Sequence, residues 1–300
     1  MRKPLVASLF ALVITGAGAA PAIAAPEPAA APVKTAVGSV VDTANRTVAD
    51  LAAPAVQAVN FAGTVSLSNC SGSVVRMPAS EDNDPALVMT NGHCLESGFP
   101  DAGEVIVDQA STRTFGLLNS AGTRVATLRA SKIAYGTMTD TDMAVYQLTT
   151  TYAQIKSSYG IDALVYDTAR PAVGTAITVV SGYWKRTYSC AVDGYAYRLK
   201  EGAWTWKDSI RYTSACQTIG GTSGSPVLNN ATGKVVGVNN TGNESGGRCT
   251  DNNPCEVDAN GTVTVRRGIN YAQQTWHVPA CFGVDNKLDL TRSGCILPKP

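Results

Sequence analysis

From Phe61 onward, short apolar runs recur, each closed by Gly, Asn, Asp or Ser. The runs at 86–90, 104–108, 126–133, 143–148, 176–181, 210–214, 226–228, 234–238 and 262–266 predict strands. Many short strands separated by turn residues predict a sandwich or a barrel. Helical periodicity is scarce, with one short helix expected at 270–276. The stretch 165–171 reads as a connection between two halves. No internal repeat is legible.

The first 60 residues have a different texture. Residues 1–24 read as a secretory signal: Arg2 and Lys3, an apolar core from Leu5 to Ile14, then the small-residue site Ala22-Ile23-Ala24. The apolar stretch is shorter than the roughly 20 residues a membrane-spanning helix needs. Residues 25–60, rich in Ala, Pro and Val, read as a propeptide or flexible leader with a weak amphipathic helix at 40–59. The chain is therefore expected to be secreted, with no membrane association after signal removal.

Composition narrows the picture. Net charge is +1 and charged residues make up 16% of the 300 positions, which gives no electrostatic case for nucleic acid. The cysteines are eight: Cys70, Cys94, Cys190, Cys216, Cys249, Cys255, Cys281 and Cys295. An even number in an exported chain suggests disulfides, and sequence alone permits about 105 pairings. With two histidines and no Cys-x-x-Cys, no metal or other cofactor is expected.

Two phrases carry chemistry: Thr90-Asn91-Gly92-His93-Cys94 and Gly221-Thr222-Ser223-Gly224-Ser225-Pro226. A serine hydroxyl needs a neighbouring base and a site that stabilises the oxyanion it creates. Glycines around it let the backbone turn sharply and aim N–H groups at one point. The base is His93 or His277, and His277, near the C-terminal end, reads as structural. The carboxylate that orients the base is Asp142, which abuts the apolar run Met143-Ala144-Val145, with Asp140 as the alternative.

Cys70-Ser71-Gly72-Ser73-Val74, then the His93 phrase, Asp142-Met143-Ala144-Val145 and the Ser223 phrase together resemble the chymotrypsin-like (trypsin-fold) serine peptidases of the bacterial secreted type. The order His, Asp, Ser is that family's order. The resemblance spans about residues 65–275 and implies an all-β fold of two six-stranded antiparallel β-barrels, about 61–160 and 165–275, with the active site in the cleft between them. The peptidase domain then covers 61–280, and 281–300 is a disulfide-tied tail. By the same resemblance, Ser223 is the nucleophile, His93 the base, and Asp142 its orienting partner. The N–H groups of Gly221 and Ser223 form the oxyanion hole. Cys70–Cys94 matches the family bridge at the His-bearing loop, and Cys190–Cys216 ties a loop of the second barrel. Proximity pairs Cys249 with Cys255 and Cys281 with Cys295.

Many animal members place Asp before the nucleophile, where it pairs with a freed N-terminus. Here that position is Thr222, so residues 26–60 are expected to govern activation differently. Motif alignment puts the pocket base near Gln217 and its walls at Asn240, Thr241, Gly242 and Gly268. With no Asp at the base and no His in the 238–241 stretch, a neutral or moderately polar P1 residue is expected. Arg266 and Arg267 favour an acidic side chain if they reach the pocket, and surface solubility if not. The aromatic residues Tyr183, Trp184, Tyr195, Tyr197, Trp204 and Trp206 face substrate or pack a hairpin. Asp251-Asn252-Asn253 and Asp258-Ala259-Asn260-Gly261 read as polar turns rather than Ca²⁺ loops. The resulting expectation is a monomeric secreted serine endopeptidase acting on polypeptides through an acyl-enzyme. The alternatives are an inactive binding homologue and an esterase using the same triad.

Overall fold

The computed structural model describes residues 59–300; the expected signal, nearly all of the leader and of the helix at 40–59 lie outside the described residues. The first sheet contains β1 (Thr64–Ser66), β2 (Ser71–Arg76), β3 (Pro85–Thr90), β4 (Val105–Ala110), β5 (Thr114–Leu118), β6 (Arg124–Thr137), β7 (Met143–Thr151) and β8 (Leu164–Val165). Its order β1-β5-β6-β7-β3-β2 returns to β1 through the antiparallel β1–β2 pairing and closes a six-stranded barrel. β4 hangs on β6, and β8 adds in parallel to β2.

The second sheet contains β9 (Ala176–Ser181), β10 (Arg186–Glu201), β11 (Trp204–Tyr212), β12 (Pro226–Asn229), β13 (Val235–Gly242), β14 (Cys255–Val257), β15 (Val263–Val265) and β16 (Asn270–Gln274). The order β11-β16-β13-β12-β9-β10 closes through the β10–β11 pairing. The fold is thus two antiparallel barrels, with β14 and β15 extending from β10.

Strand period explains why the sequence runs look continuously apolar. Successive side chains point to opposite faces of a sheet. On β3, Ala86 and Val88 enter the core of the first barrel, whereas Leu87 and Met89 enter a second core. β7 does the same, with Ala144, Tyr146 and Leu148 inside and Met143 and Val145 outside. The second core joins the barrels, since Val180, Leu228, Val235 and Val238 meet these residues there. Truncating one of these fully buried side chains, such as Leu87, to Ala costs about 2–5 kcal/mol. Both faces of β3 and β7 are buried, so the strands that lead to His93 and follow Asp142 are held from two sides.

One local expectation is corrected. The stretch at 270–276 is not a helix: β16 is buried along its length and pairs with β11 and β13. Its polar residues mimic a helix surface but are spent on internal hydrogen bonds. Gln273 Oε1 accepts from Ser209, Gln274 donates to the Asp208 carbonyl, and Asn270 donates to the Cys216 carbonyl. The helix among the described residues is instead α1 (Tyr152–Tyr159), opened by a capping box between Thr151 and Gln154 and closed by Gly160 in the left-handed region. The tail after β16 folds back on the first barrel. Cys281 and Cys295 are bridged, Asn286 donates to the Pro85 carbonyl at 2.9 Å, and Tyr135 donates to the Pro298 carbonyl at 3.1 Å.

Candidate active site

β3 ends at Thr90 and delivers Asn91, Gly92 and His93 into a short 3-10 turn. Three anchors hold that turn. Cys70 and Cys94 are bridged, and the buried Arg113 guanidinium donates to the Cys94 carbonyl at 2.5 Å and to Asn69 Oδ1 at 2.7 Å. Asn91, also buried, reaches two ways: its amide nitrogen donates to the Asp142 carbonyl at 2.7 Å, and its oxygen accepts from the Gly224 N–H at 2.5 Å. One side chain therefore ties the His loop to the Ser loop. The sulfurs nearest His93 belong to the bridge, which leaves no thiolate there for a metal.

Asp142 stands directly before β7 with a fully buried side chain. Its Oδ2 lies 2.6 Å from His93 Nδ1, and its Oδ1 accepts the His93 backbone N–H at 3.1 Å. The pair fixes the ring with Nδ1 toward the carboxylate. Burial alone lowers the His93 pKa, but the charge and hydrogen bond of Asp142 outweigh it, and Glu201 adds to them. The net pKa is raised above 6.5. Asp140 has a different partner, the Lys207 ammonium, and a positive φ of 59°. His277 sits elsewhere, edge-on to Trp276, with burial pushing its pKa down to about 4.

The Ser223 loop is shaped by two glycines. Gly221 has φ +86° and Gly224 φ +79°, in the left-handed region. At Gly224 a Cβ would also lie 2.2 Å from the Ser71 carbonyl, so only glycine fits there. The first barrel grips this loop: Ser71 N–H donates to the Ser223 carbonyl at 2.8 Å, and Ser71 Oγ donates to the Gly221 carbonyl at 3.1 Å. Thr222 is buried, donating through its hydroxyl to the Ile219 carbonyl at 2.5 Å and accepting from Asn239 at 3.1 Å. Neutral hydrogen bonds thus hold the loop where an aspartate would need a counter-charge. Among the described residues, the N–H groups of Gly221 and Ser223 donate to no protein acceptor. Ser223 Oγ donates to the Asn240 carbonyl at 3.3 Å. Ser225 Oγ is buried and does not line the cleft.

His93, Asp142 and Ser223 line one cleft of about 290 Å³ between the barrels. Asn240, Thr241 and Gly242 line it too. Gln217 does not: it is exposed, and its amide folds back to the Ser214 carbonyl at 2.7 Å. Gly268 also lies outside, in a turn bonded to Asn243. Thr218, the chain neighbour of Gln217, and Asn270 line the cleft and join through a 2.7 Å hydrogen bond, a neutral polar pair. Arg266 turns away to Glu256 at 3.0 Å.

Of the aromatic residues expected to face substrate or pack a hairpin, Trp204 and Trp206 line the cleft, while Phe99 and Glu201 are lining residues that sequence reasoning did not isolate. Phe99, edge-on to both His93 and Trp204 at 5.7 Å, stands 58% exposed beside Glu201 and Trp206. The indoles of Trp204 and Trp206 donate to the Pro100 and Met138 carbonyls across the barrel junction. The aromatic run 204–206 was a signal for this part of the cleft. Trp184 instead caps the Gly220 carbonyl at 2.7 Å, and Tyr195 bonds the Pro171 carbonyl. Asp258 Oδ1 accepts the N–H groups of Asn260 and Thr262, as a polar turn does.

Among curated protein sequences, none matches the chain. Several solved structures have a similar course. The active form of the Rv3671c protease from M. tuberculosis is 15% identical, with 79% of this chain and 82% of that chain covered and a TM-score of 0.44. The MamO protease domain from Magnetospirillum magneticum is 14% identical, with 71% and 92% covered and a TM-score of 0.43. The thermostable serine protease AL20, from an extremophilic microorganism, is 16% identical, with 70% and 88% covered and a TM-score of 0.41. The model of the trypsin-like peptidase domain matches residues 70–238, more than half of the chain and a span that contains His93, Asp142 and Ser223. The chain belongs to the trypsin-like peptidase family.

Proposed function

We propose that the protein is a secreted serine endopeptidase that cleaves peptide bonds through an acyl-enzyme on Ser223. The observation that carries this reading is the 2.6 Å contact between His93 Nδ1 and Asp142, in a cleft that also holds Ser223. In the proposed cycle the Ser223 hydroxyl leaves the Asn240 carbonyl and gives its proton to His93 Nε2 as Oγ attacks the substrate carbonyl. The N–H groups of Gly221 and Ser223 receive the oxyanion. Loss of one such donor would cost roughly 3 kcal/mol of transition-state stabilisation. His93 then protonates the leaving amine, and water repeats the sequence to free Ser223. No cofactor enters these steps.

The Thr218–Asn270 pair supports a neutral or moderately polar P1 residue. Four disulfides fit an oxidising, extracellular setting. No described helix is long and apolar enough to cross a membrane. Residues 26–60 are proposed to assist folding or to block the cleft until removed.

The test is hydrolysis of casein and of a short-chain ester by the secreted protein and by Ser223→Ala and Ser225→Ala. The reading expects both substrates to be cleaved, both activities to vanish in Ser223→Ala, and Ser225→Ala to retain turnover. Ester cleavage without casein cleavage would make the protein an esterase. Loss of activity in Ser225→Ala alone would overturn the nucleophile.

A further inference from the structure

The cleft has a charge asymmetry that the triad does not use. Asp142, Glu201, Glu244 and Asp251 line it, and among the described residues no Lys or Arg does. Asp142 is engaged by His93. Glu201 is not fully engaged. One carboxylate oxygen, Oε1, accepts the Asn252 N–H at 2.7 Å, while Oε2 is shut off from bulk water; the Thr241 hydroxyl is near enough to favour the charged carboxyl, but no described donor, Thr241 included, reaches Oε2 with hydrogen-bond geometry. Burial pushes the Glu201 carboxyl above its usual range, and Thr241, the Asn252 N–H and His93 pull it back. A buried carboxylate oxygen without a donor is costly, and a guest that supplies one removes that cost. A second vacancy lies in the same cleft: Asn240 is 4% exposed, and neither atom of its amide side chain has a partner among the described residues.

The carboxylate is built into the wall rather than left on a mobile surface. Glu201 closes β10, beside the turn into Trp204. The loop carrying Asp251 and Asn252 is tied by Cys249–Cys255, and its Cys249 carbonyl accepts the Gly202 N–H at 2.9 Å. Phe99 and Trp204, edge-on to each other at 5.7 Å, line the same cleft as the carboxylates, and an aromatic ring attracts a cation placed over its face. The last torsion of a glutamate is broad, so the carboxyl can turn toward a guest at small cost.

We infer that Glu201, with Asp251 beside it and the rings of Phe99 and Trp204, forms a subsite for a lysine or arginine side chain of the substrate at P2, P3 or P4. This inference rests on the peptidase reading and adds the substrate class. With a neutral or moderately polar P1 residue proposed, the cationic position falls at P2, P3 or P4. The cation's N–H groups meet Glu201 Oε2, and its stem lies along the rings.

The experiment scans tetrapeptide substrates with P1 to P4 varied singly. Lys or Arg at one of P2–P4 is expected to raise kcat/KM about tenfold or more over norleucine, a preference that shrinks in 0.5 M NaCl. In Glu201→Gln the ratio of cationic to norleucine substrate is expected to fall to about threefold or less, and Glu201→Asp to retain an intermediate ratio. An unchanged ratio in Glu201→Gln overturns the inference. So does a wild-type preference for neutral or acidic residues at all three positions, or for cations at P1 alone. The same peptides are titrated against Ser223→Ala by tryptophan fluorescence. Cation-selective binding without cleavage by the parent protein would reject the peptidase reading and keep the subsite. Cleavage without cation selectivity would do the reverse. If Glu201→Gln fails to fold, the wild-type scan, its salt dependence and Glu201→Asp decide the matter.

Discussion

At the scale of single residues, the chemistry turns on how charge is distributed around His93. In the proposed cycle a neutral imidazole is the base, so activity is expected to be lost as pH falls through its pKa. Burial opposes the imidazolium, but Asp142 and Glu201 favour it more, and the pKa moves above 6.5. The acid limb of kcat/KM against pH is therefore expected to have its midpoint above 6.5. Asp142→Asn should move that midpoint down and reduce kcat by roughly 10⁴-fold, and Glu201→Gln should move it down by less. A wild-type midpoint below the ordinary imidazole value would contradict this balance. His93 and Ser223 were legible in the sequence because only two histidines exist and the Gly-rich serine phrase is distinctive. Asp142 was less so: it differs from Asp140 in what folding places beside each, an imidazole in one case and the Lys207 ammonium in the other. Gln217 shows the limit of counting from a motif, since a local turn sends its side chain to Ser214 and out of the cleft.

At the scale of elements, the His-bearing turn depends on a buried cation that no motif announces. Arg113 precedes β5, is 3% exposed, and donates to the Cys94 carbonyl, Asn69 and the Tyr146 hydroxyl. Arg113→Met would bury an apolar chain end against the Tyr146 hydroxyl and leave the Cys94 carbonyl with only the longer 3.3 Å bond from Asn69, with an expected loss on the order of 3 kcal/mol in urea unfolding. Hydrolysis should fall as well, because the same turn carries His93. An unchanged unfolding midpoint would show that the Cys70–Cys94 bridge suffices alone. The strands at 86–90 and 143–148 were legible because burial on both faces makes their runs continuously apolar. β16 was not, because Asn270, Gln273 and Gln274 are polar residues whose partners lie tens of residues away. α1 was missed although its Thr151–Gln154 capping box stands in the sequence, since its apolar face is too short to set a period.

At the scale of the whole molecule, function depends on two barrels meeting in register. Asn91 spans the junction to Gly224, Ser71 reaches the carbonyls of Ser223 and Gly221, and the indoles of Trp204 and Trp206 return the contact from the other side. The two-barrel plan followed from the family resemblance. Trp204 and Trp206 were legible as residues that face substrate or pack a hairpin; Phe99 and the acidic residues beside them in the cleft were not, because they come from separate segments, none of which carries a motif. The central claim is that this junction activates one alcohol out of all those in the chain. Its most direct measurement is intact-mass analysis after treatment with a fluorophosphonate, followed by peptide mapping. The account predicts a single adduct per chain, located on Ser223 and absent from His93→Ala. No adduct, or an adduct on Ser225 or at scattered hydroxyls, would contradict it.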